Sequence, residues 1–253
     1  MSRGSAALTV AATCSLALAA CGGDNDDQGS GQLVVSAASS LQDAFTDYAA
    51  MAGIDAKQSF AGSDELAAQI RQGVKPDVYA AADTTLPDQL YKEGLVEKPV
   101  VLATNSLVLA VPEGSDISSI DDLTTPGTTI AIGDPEVPVG SYTREVLDKL
   151  PPDQSNAILD NVRSQEPDAS SIVGKLMQGA VDAGFVYVTD VTATDEALKG
   201  IELPGALQPD VLYGAAVVVG ARNPDGARKF IDGLLGGDGA SMLQEAGFKP
   251  PPS

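Results

Sequence analysis

The 253-residue chain carries 15 Lys and Arg against 35 Asp and Glu, and it contains no His and no Trp. A formal charge of −20 excludes nucleic acid as a partner on electrostatic grounds. Without His, and with two Cys, the usual zinc, copper and haem sites lack ligands, and Ser–His–Asp and Cys–His catalysis are closed. No Walker A loop, Ser-x-x-Lys or Gly-x-Ser-x-Gly occurs either. Only an enzyme working with carboxylates alone survives this filter, so an enzyme is not expected.

The chain opens with Arg3 followed by an apolar run over 6–20, short for a membrane span and right for a signal peptide. The run ends Leu18-Ala19-Ala20-Cys21, which resembles the bacterial lipoprotein signal. That resemblance implies removal of residues 1–20, lipidation of Cys21 and attachment to the cell membrane on its extracytoplasmic side. Cys14 leaves with the signal and Cys21 is blocked, so no disulfide is expected. Residues 21–31 read as a solvated tether between lipid and domain. The mature chain then holds 14 basic and 35 acidic residues, a charge of −21.

From there, short β-rich runs alternate with amphipathic stretches, the pattern of a mostly parallel α/β fold. Strands are predicted at 33–36, 77–81, 106–111, 129–132, 184–188 and 211–219. Helical spacing joins Leu41, Ala44, Phe45, Tyr48 and Ala49, then Leu66, Ala67 and Ile70. It returns at Val146, Leu147 and Leu150, and at Ile172, Val173, Leu176 and Met177. Gly53, Gly73 and Gly179 sit where helix ends belong. Two more helices are expected near 224–235 and 239–246, and no internal sequence repeat is visible.

Four of the predicted helix starts carry small residues or hydroxyls: Ser39-Ser40, Gly62-Ser63, Val139-Gly140-Ser141 and Asp168-Ala169-Ser170-Ser171. Each Ser has a plain reading as a helix cap. In open α/β sheets, however, ligands bind beyond the carboxyl ends of strands, and helix N-termini favour anions. No Lys or Arg occurs at 36–41, 61–63, 137–141 or 169–172. A site built there would hold an anion by neutral dipoles alone. That suits a dianion without a proton, whereas phosphate needs an acceptor, for which Asp64 and Asp168 are the candidates.

These stretches resemble the molybdate-binding proteins of ABC importers. The matching runs are "AASSLQDAF", "SFAGSDELAAQI", "DVYAAAD", "NSLVLAVP", "AIGDPEVPVGSY", "DAGFVYVTD" and "QEAGF", in family order over 33–248. The resemblance implies a two-lobed periplasmic-binding-protein fold of type II, α/β, with mixed, mostly parallel sheets. It implies one lobe from 32–104 with 222–253 and another from 105–221, the chain crossing near Thr104–Asn105 and near 216–222. It also implies oxyanion contacts from the Ser40 and Ser63 hydroxyls, the Val139 and Ala169 backbone N–H groups and the Tyr187 hydroxyl. Ser39 falls outside that set. The loop before Val139 is one residue shorter than is usual in the family, and Asp64 stands where a neutral residue is common; its carboxylate is expected to point outward.

The implied function is capture of molybdate, and tungstate with it, for delivery to an ABC permease and its ATPase. The oxyanion is cargo, held by these residues with no direct ligand to the metal, and no cofactor is expected. The protein is expected to act as a monomer. A binding protein of the same fold for sulfate or another small anion is the alternative. A surface-tethered carboxylate-dependent hydrolase is a second, with Asp134 and Glu136 as its candidate acids.

Overall fold

The computed structural model describes residues 31–252. The signal segment, Cys21 and almost all of the tether therefore lie outside the described residues. From Leu33 the chain lays down β1 (Leu33–Ala38), α1 (Gln42–Met51), β2 (Ala56–Ala61) and α2 (Ser63–Arg71). β3 (Val78–Ala81), α3 (Thr85–Lys92) and β4 (Val100–Asn105) follow. After Ser106 come β5 (Leu107–Pro112), β6 (Ile130–Gly133), α4 (Pro138–Asp148), α5 (Pro152–Asp160) and β7 (Val162–Glu166). Then come α6 (Ala169–Met177), β8 (Ala183–Tyr187), α7 (Val188–Thr192) and β9 (Leu198–Glu202). The chain finishes with β10 (Val211–Val217), α8 (Pro224–Leu234) and α9 (Gly237–Glu245).

The strands form two five-stranded sheets, β2-β1-β3-β10-β4 and β7-β6-β8-β5-β9. Each has three parallel strands, then one antiparallel strand, then an antiparallel edge. The two sheets are thus topological copies, although the sequence carries no repeat. β1 matches β6, β2 matches β7, β3 matches β8, and β10 matches β5. The parallel strands β3, β6 and β8 are buried along their whole length. Such strands read as unbroken apolar runs because helices cover both faces.

β10 corrects the expected lobe boundary. It lies in the first sheet between β3 and β4, so the return crossing falls in 203–210 and the second lobe ends there, not at 221. Its partners are residues 78–81 and 100–105, far earlier in the chain. An apolar run cannot state which distant strand it will pair with. The outward crossing is the single residue Ser106, between β4 and β5.

Register sets up the site. β1 and β2 pair in parallel with Ala38 opposite Ala61, so their carboxyl ends are level. β6 and β7 end with Gly133 opposite Glu166, level in the same way. The turns that follow all four strands therefore come together along the cleft between the sheets. Gly53 and Gly179 close α1 and α6 at φ +64° and +66°, as the spacing predicts. The C-terminal helices belong to the first lobe: Phe230 packs edge-on against Phe45, with ring centroids 5.3 Å apart. Buried Asp77 ties the Val34 and Asn223 N–H groups together, each at 2.8 Å. Among the described residues no helix is long and apolar enough to cross a membrane.

Candidate functional site

One small cavity of about 20 Å³ lies between the lobes, and Ser40, Ser63, Val139, Ala169 and Tyr187 all line it. Its volume is on the order of one or two waters, which suits a few-atom ion and shuts out an organic solute. Ser40 and Ser63 follow β1 and β2 in one lobe. Val139 and Ala169 follow β6 and β7 in the other, at the matching positions. The five residues predicted from the sequence thus meet as two pairs related by the duplicated topology, with Tyr187 at the end of β8.

The cap reading fails for both serines. Ser40 lies within a short 3-10 turn, 39–41, and Ser63 is the first residue of α2 behind Gly62; neither side chain caps its helix. The Ser63 hydroxyl instead accepts the Ala82 N–H at 3.0 Å. A backbone amide only donates, so the Ser63 proton remains for the cavity. Ser40 Oγ lies 2.7 Å from the Tyr213 hydroxyl, itself fully buried in β10. Val139 and Ala169 occupy the first turns of α4 and α6, where backbone N–H groups have no acceptor within the helix. α2, α4 and α6 all begin at the cavity, so their positive dipole ends meet there.

Tyr187 supplies the clearest signal. Its side chain is 1% exposed, yet its hydroxyl has no hydrogen-bond partner. Buried polar groups are nearly always paired, and an orphan asks for an absent one. Burial holds the phenol well above its ordinary titration range, so it stays protonated and able to donate. The ring is fixed by Tyr142 and Tyr213, at centroid distances of 6.4 and 5.7 Å.

Carboxylates near the cavity are engaged or turned aside. Asp168 caps α6 by accepting the Ser171 N–H at 2.7 Å. Asp64 departs from expectation: its Oδ1 is buried without a partner and folds back over Gly62, toward the positive end of α2. It does not line the cavity. Asp134 accepts the Glu136 N–H at 3.1 Å, a turn contact, and neither residue reaches the site. Among the described residues no group of three His, Cys, Asp or Glu side chains is placed to hold a metal ion.

A larger cavity of about 530 Å³ opens on the far side of Ser39 and Ser40. Asp43, Asp47, Asp190, Asp195 and Glu245 line it without a cation. That lining repels an anion, so size alone misidentifies the site. Sequence reasoning set Ser39 behind the contact residues or as a cap, whereas it lines both cavities, and it missed Tyr213 and Asn105 behind Ser40. A Tyr directly before the small-residue run "GAAV" of a central strand was the available signal, because a buried phenol needs a partner.

The profile of the bacterial extracellular solute-binding protein family matches residues 33–249. The chain belongs to this family. As one of the extracellular solute-binding proteins, it is an extracytoplasmic component of transport. Among its relatives is the molybdate-binding protein ModA of Mycobacterium tuberculosis, 35% identical over 232 residues, covering 88% of this chain and 87% of the relative. The molybdate-binding protein ModA of Haemophilus influenzae is 28% identical over 202 residues, covering 75% and 77%. The solved periplasmic molybdate-binding protein of Azotobacter vinelandii covers 87% of this chain and 100% of its own, at TM-score 0.78 and 19% identity. At that identity the likeness is one of fold.

Proposed function

We propose that the protein captures molybdate, and tungstate with it, in the inter-lobe cavity and delivers it to the permease and ATPase of an ABC importer. The observation that carries this reading is the buried, unpartnered Tyr187 hydroxyl, facing a cavity that also takes the Ser63 proton. Hydroxyl and amide donors from both lobes converge with no cation in the lining, and its one carboxylate, Asp168, is engaged through Oδ1 with the Ser171 N–H. A tetrahedral dianion that carries no proton satisfies them all. The naming of the relatives as molybdate-binding proteins supports the same ion.

Neutral dipoles suit this task. They hold a dehydrated anion without requiring a second buried charge, and they are strongest where water is excluded. Donors drawn equally from two lobes link capture to closure, with the bend taken up at Ser106 and in 203–210. The closed form is then what the permease recognises. One chain completes the cavity, so a monomer suffices, and a lipid on Cys21 keeps it beside the membrane. The lining residues act as ligands to cargo, without a cofactor and without a chemical step.

The test is thermal unfolding of purified, ligand-stripped protein against molybdate, tungstate, sulfate and phosphate. A ligand at a thousand times its dissociation constant adds about 4 kcal/mol to folding stability. A rise with molybdate and tungstate alone is expected. A rise with sulfate or phosphate alone keeps the fold and replaces the cargo, and no rise with any of them ends the oxyanion reading.

A further inference from the structure

Behind Ser40 lies a hydrogen-bond chain whose direction can be read without seeing a proton. It starts at the crossing between the lobes. The Ser106 N–H donates to Asn105 Oδ1 at 2.8 Å, which fixes the orientation of the Asn105 amide. The Asn105 Nδ2 group donates to Thr189 Oγ1 at 3.0 Å and, over a longer 3.4 Å, to the Tyr213 hydroxyl. An amide NH2 has no acceptor capacity, so Tyr213 accepts there. The Tyr213 proton has one remaining partner, Ser40 Oγ at 2.7 Å. Were Ser40 to donate instead, the proton of a fully buried phenol would be stranded, at a cost the other arrangement avoids.

We propose that Tyr213 and Asn105 are positioning residues that orient the Ser40 hydroxyl to donate into the cavity, so that the cage rejects oxyanions carrying a proton. This rests on the cavity being an oxyanion site. Tyr213 engages a lone pair of Ser40 and leaves its proton for the anion. Ala82 does the same to Ser63 by its backbone N–H at 3.0 Å. One serine is thus oriented by the main chain and the other by a side-chain relay anchored at the outward crossing. Burial keeps the Tyr213 phenol protonated well above its ordinary range, so the relay stays intact at neutral pH. An ion that must donate a proton finds two serines turned the wrong way and the one lining carboxylate, Asp168, already drawn to the Ser171 N–H, whereas sulfate and molybdate have no proton to place.

The experiment measures dissociation constants of purified protein for molybdate, sulfate and phosphate at pH 7, where phosphate retains a proton and the other two do not. Tyr213→Phe removes the donor and frees Ser40 to accept. Molybdate binding then weakens by about ten-fold, as for loss of one oriented hydrogen bond to a charged group, and sulfate weakens with it. Phosphate does not weaken, so discrimination against phosphate falls while discrimination against sulfate holds. Asn105→Asp gives a second route should Tyr213→Phe fail to fold. Its carboxylate accepts from Tyr213, turns the relay round and shifts the ratios the same way. Equal weakening of all three ions in folded variants makes Tyr213 merely structural and overturns the proposal. Absence of molybdate binding in the unaltered protein overturns instead the oxyanion reading beneath it.

Discussion

Gly62 and Pro167 meet across the cleft: a Cβ on Gly62 would lie 2.8 Å from the Pro167 carbonyl oxygen. Gly62 sits between β2 and α2, and Pro167 occupies the equivalent turn between β7 and α6. The two lobes therefore touch backbone to backbone at the rim of the cavity, and the contact exists only with the lobes together. Glycine is needed here for space and not for conformation. Its φ of −59° and ψ of 138° are open to any residue.

Gly62→Ala separates these causes. The methyl group meets the Pro167 main chain, which cannot swing aside, and Asp64 Oδ1 at 2.9 Å, a side chain that can, so closure is opposed by about 1–3 kcal/mol, the usual range for overpacking. Molybdate affinity measured by calorimetry should fall accordingly, while the melting temperature of the ligand-free protein stays put. A drop in ligand-free stability with unchanged affinity would mean that the contact belongs to folding and not to closure.

Tyr187→Phe should weaken binding without lowering ligand-free stability. The phenol oxygen is buried without a partner with the lobes together and meets water once they part, so deleting it leaves no protein group of the ligand-free state unpaired. The ring contacts with Tyr142 and Tyr213 survive the change. Binding loses a hydrogen bond to a charged ion, about 1.5–3 kcal/mol. Denaturant titration with and without molybdate reads both quantities, and a variant that loses stability while keeping affinity refutes the assignment.

Ser63→Ala and Ser40→Ala should each weaken molybdate binding by about 1.5–3 kcal/mol, but they differ in the ligand-free protein. Ser63 is 2% exposed, and its loss strands the Ala82 N–H, so that variant is also less stable, by about 1–3 kcal/mol. Ser40 is half-buried and opens on the larger cavity, where water can replace it. Its variant takes the acceptor from the buried Tyr213 hydroxyl and should also lose stability, but less than Ser63→Ala, to the extent that water takes the place of the serine. Unchanged affinity in both leaves the serines with purely local roles.

The same two lobes show what the sequence could carry. The strands foreseen are β1, β3, β5, β6, β8 and β10, the six interior strands of the two sheets, whose apolar runs follow from burial. The four not foreseen, β2, β4, β7 and β9, are the four edges. β2 reads "AKQSFA", β7 "VRSQE" and β9 "LKGIE"; each exposes part of its length and carries the charges that blunt an edge. β4 was hidden differently: it reads "VVLATN", and its polar end at Thr104 and Asn105 confines the predicted strand to 106–111. α3 carries Pro87 inside it and α7 has five residues, too little for a helical period to register. Of the five cavity-lining residues, Tyr187 ends β8 and the other four lie in or just after the turns that follow β1, β2, β6 and β7, local positions where the family resemblance could place them. Tyr213 and Asn105 stand 173 and 65 positions from Ser40, and only the folded topology brings them behind it.

Stability should fall as pH rises toward neutrality. Asp190 is buried in α7, and desolvation pushes its carboxyl from 3.8 up to about 7, against the Tyr187 N–H it accepts. Desolvation likewise lifts Asp83 to about 6, although the Leu86 N–H opposes the shift. For both, the folded state keeps a proton that the unfolded state has already released, so their contribution is full at the acid end. It is lost as pH rises through about 6 and then about 7, and the profile is flat beyond. Glu93 and Asp122 act oppositely, held low by the Arg71 and by the Ser118 and Ser119 hydrogen bonds, but their contribution disappears only in the acid range. The optimum therefore lies on the acid side of neutral. Relief of repulsion on a chain of charge −20 has the same sign, so the comparison that decides is wild type against Asp190→Asn. The amide oxygen of that variant can still accept the Tyr187 N–H, but the side chain cannot titrate. Denaturant midpoints taken between pH 5 and 8 should show wild type losing up to about 1.4 kcal/mol per pH unit more than the variant as pH approaches 7. Parallel profiles would mean that Asp190 is ionised within the fold, with water from the acidic cavity reaching its carboxylate.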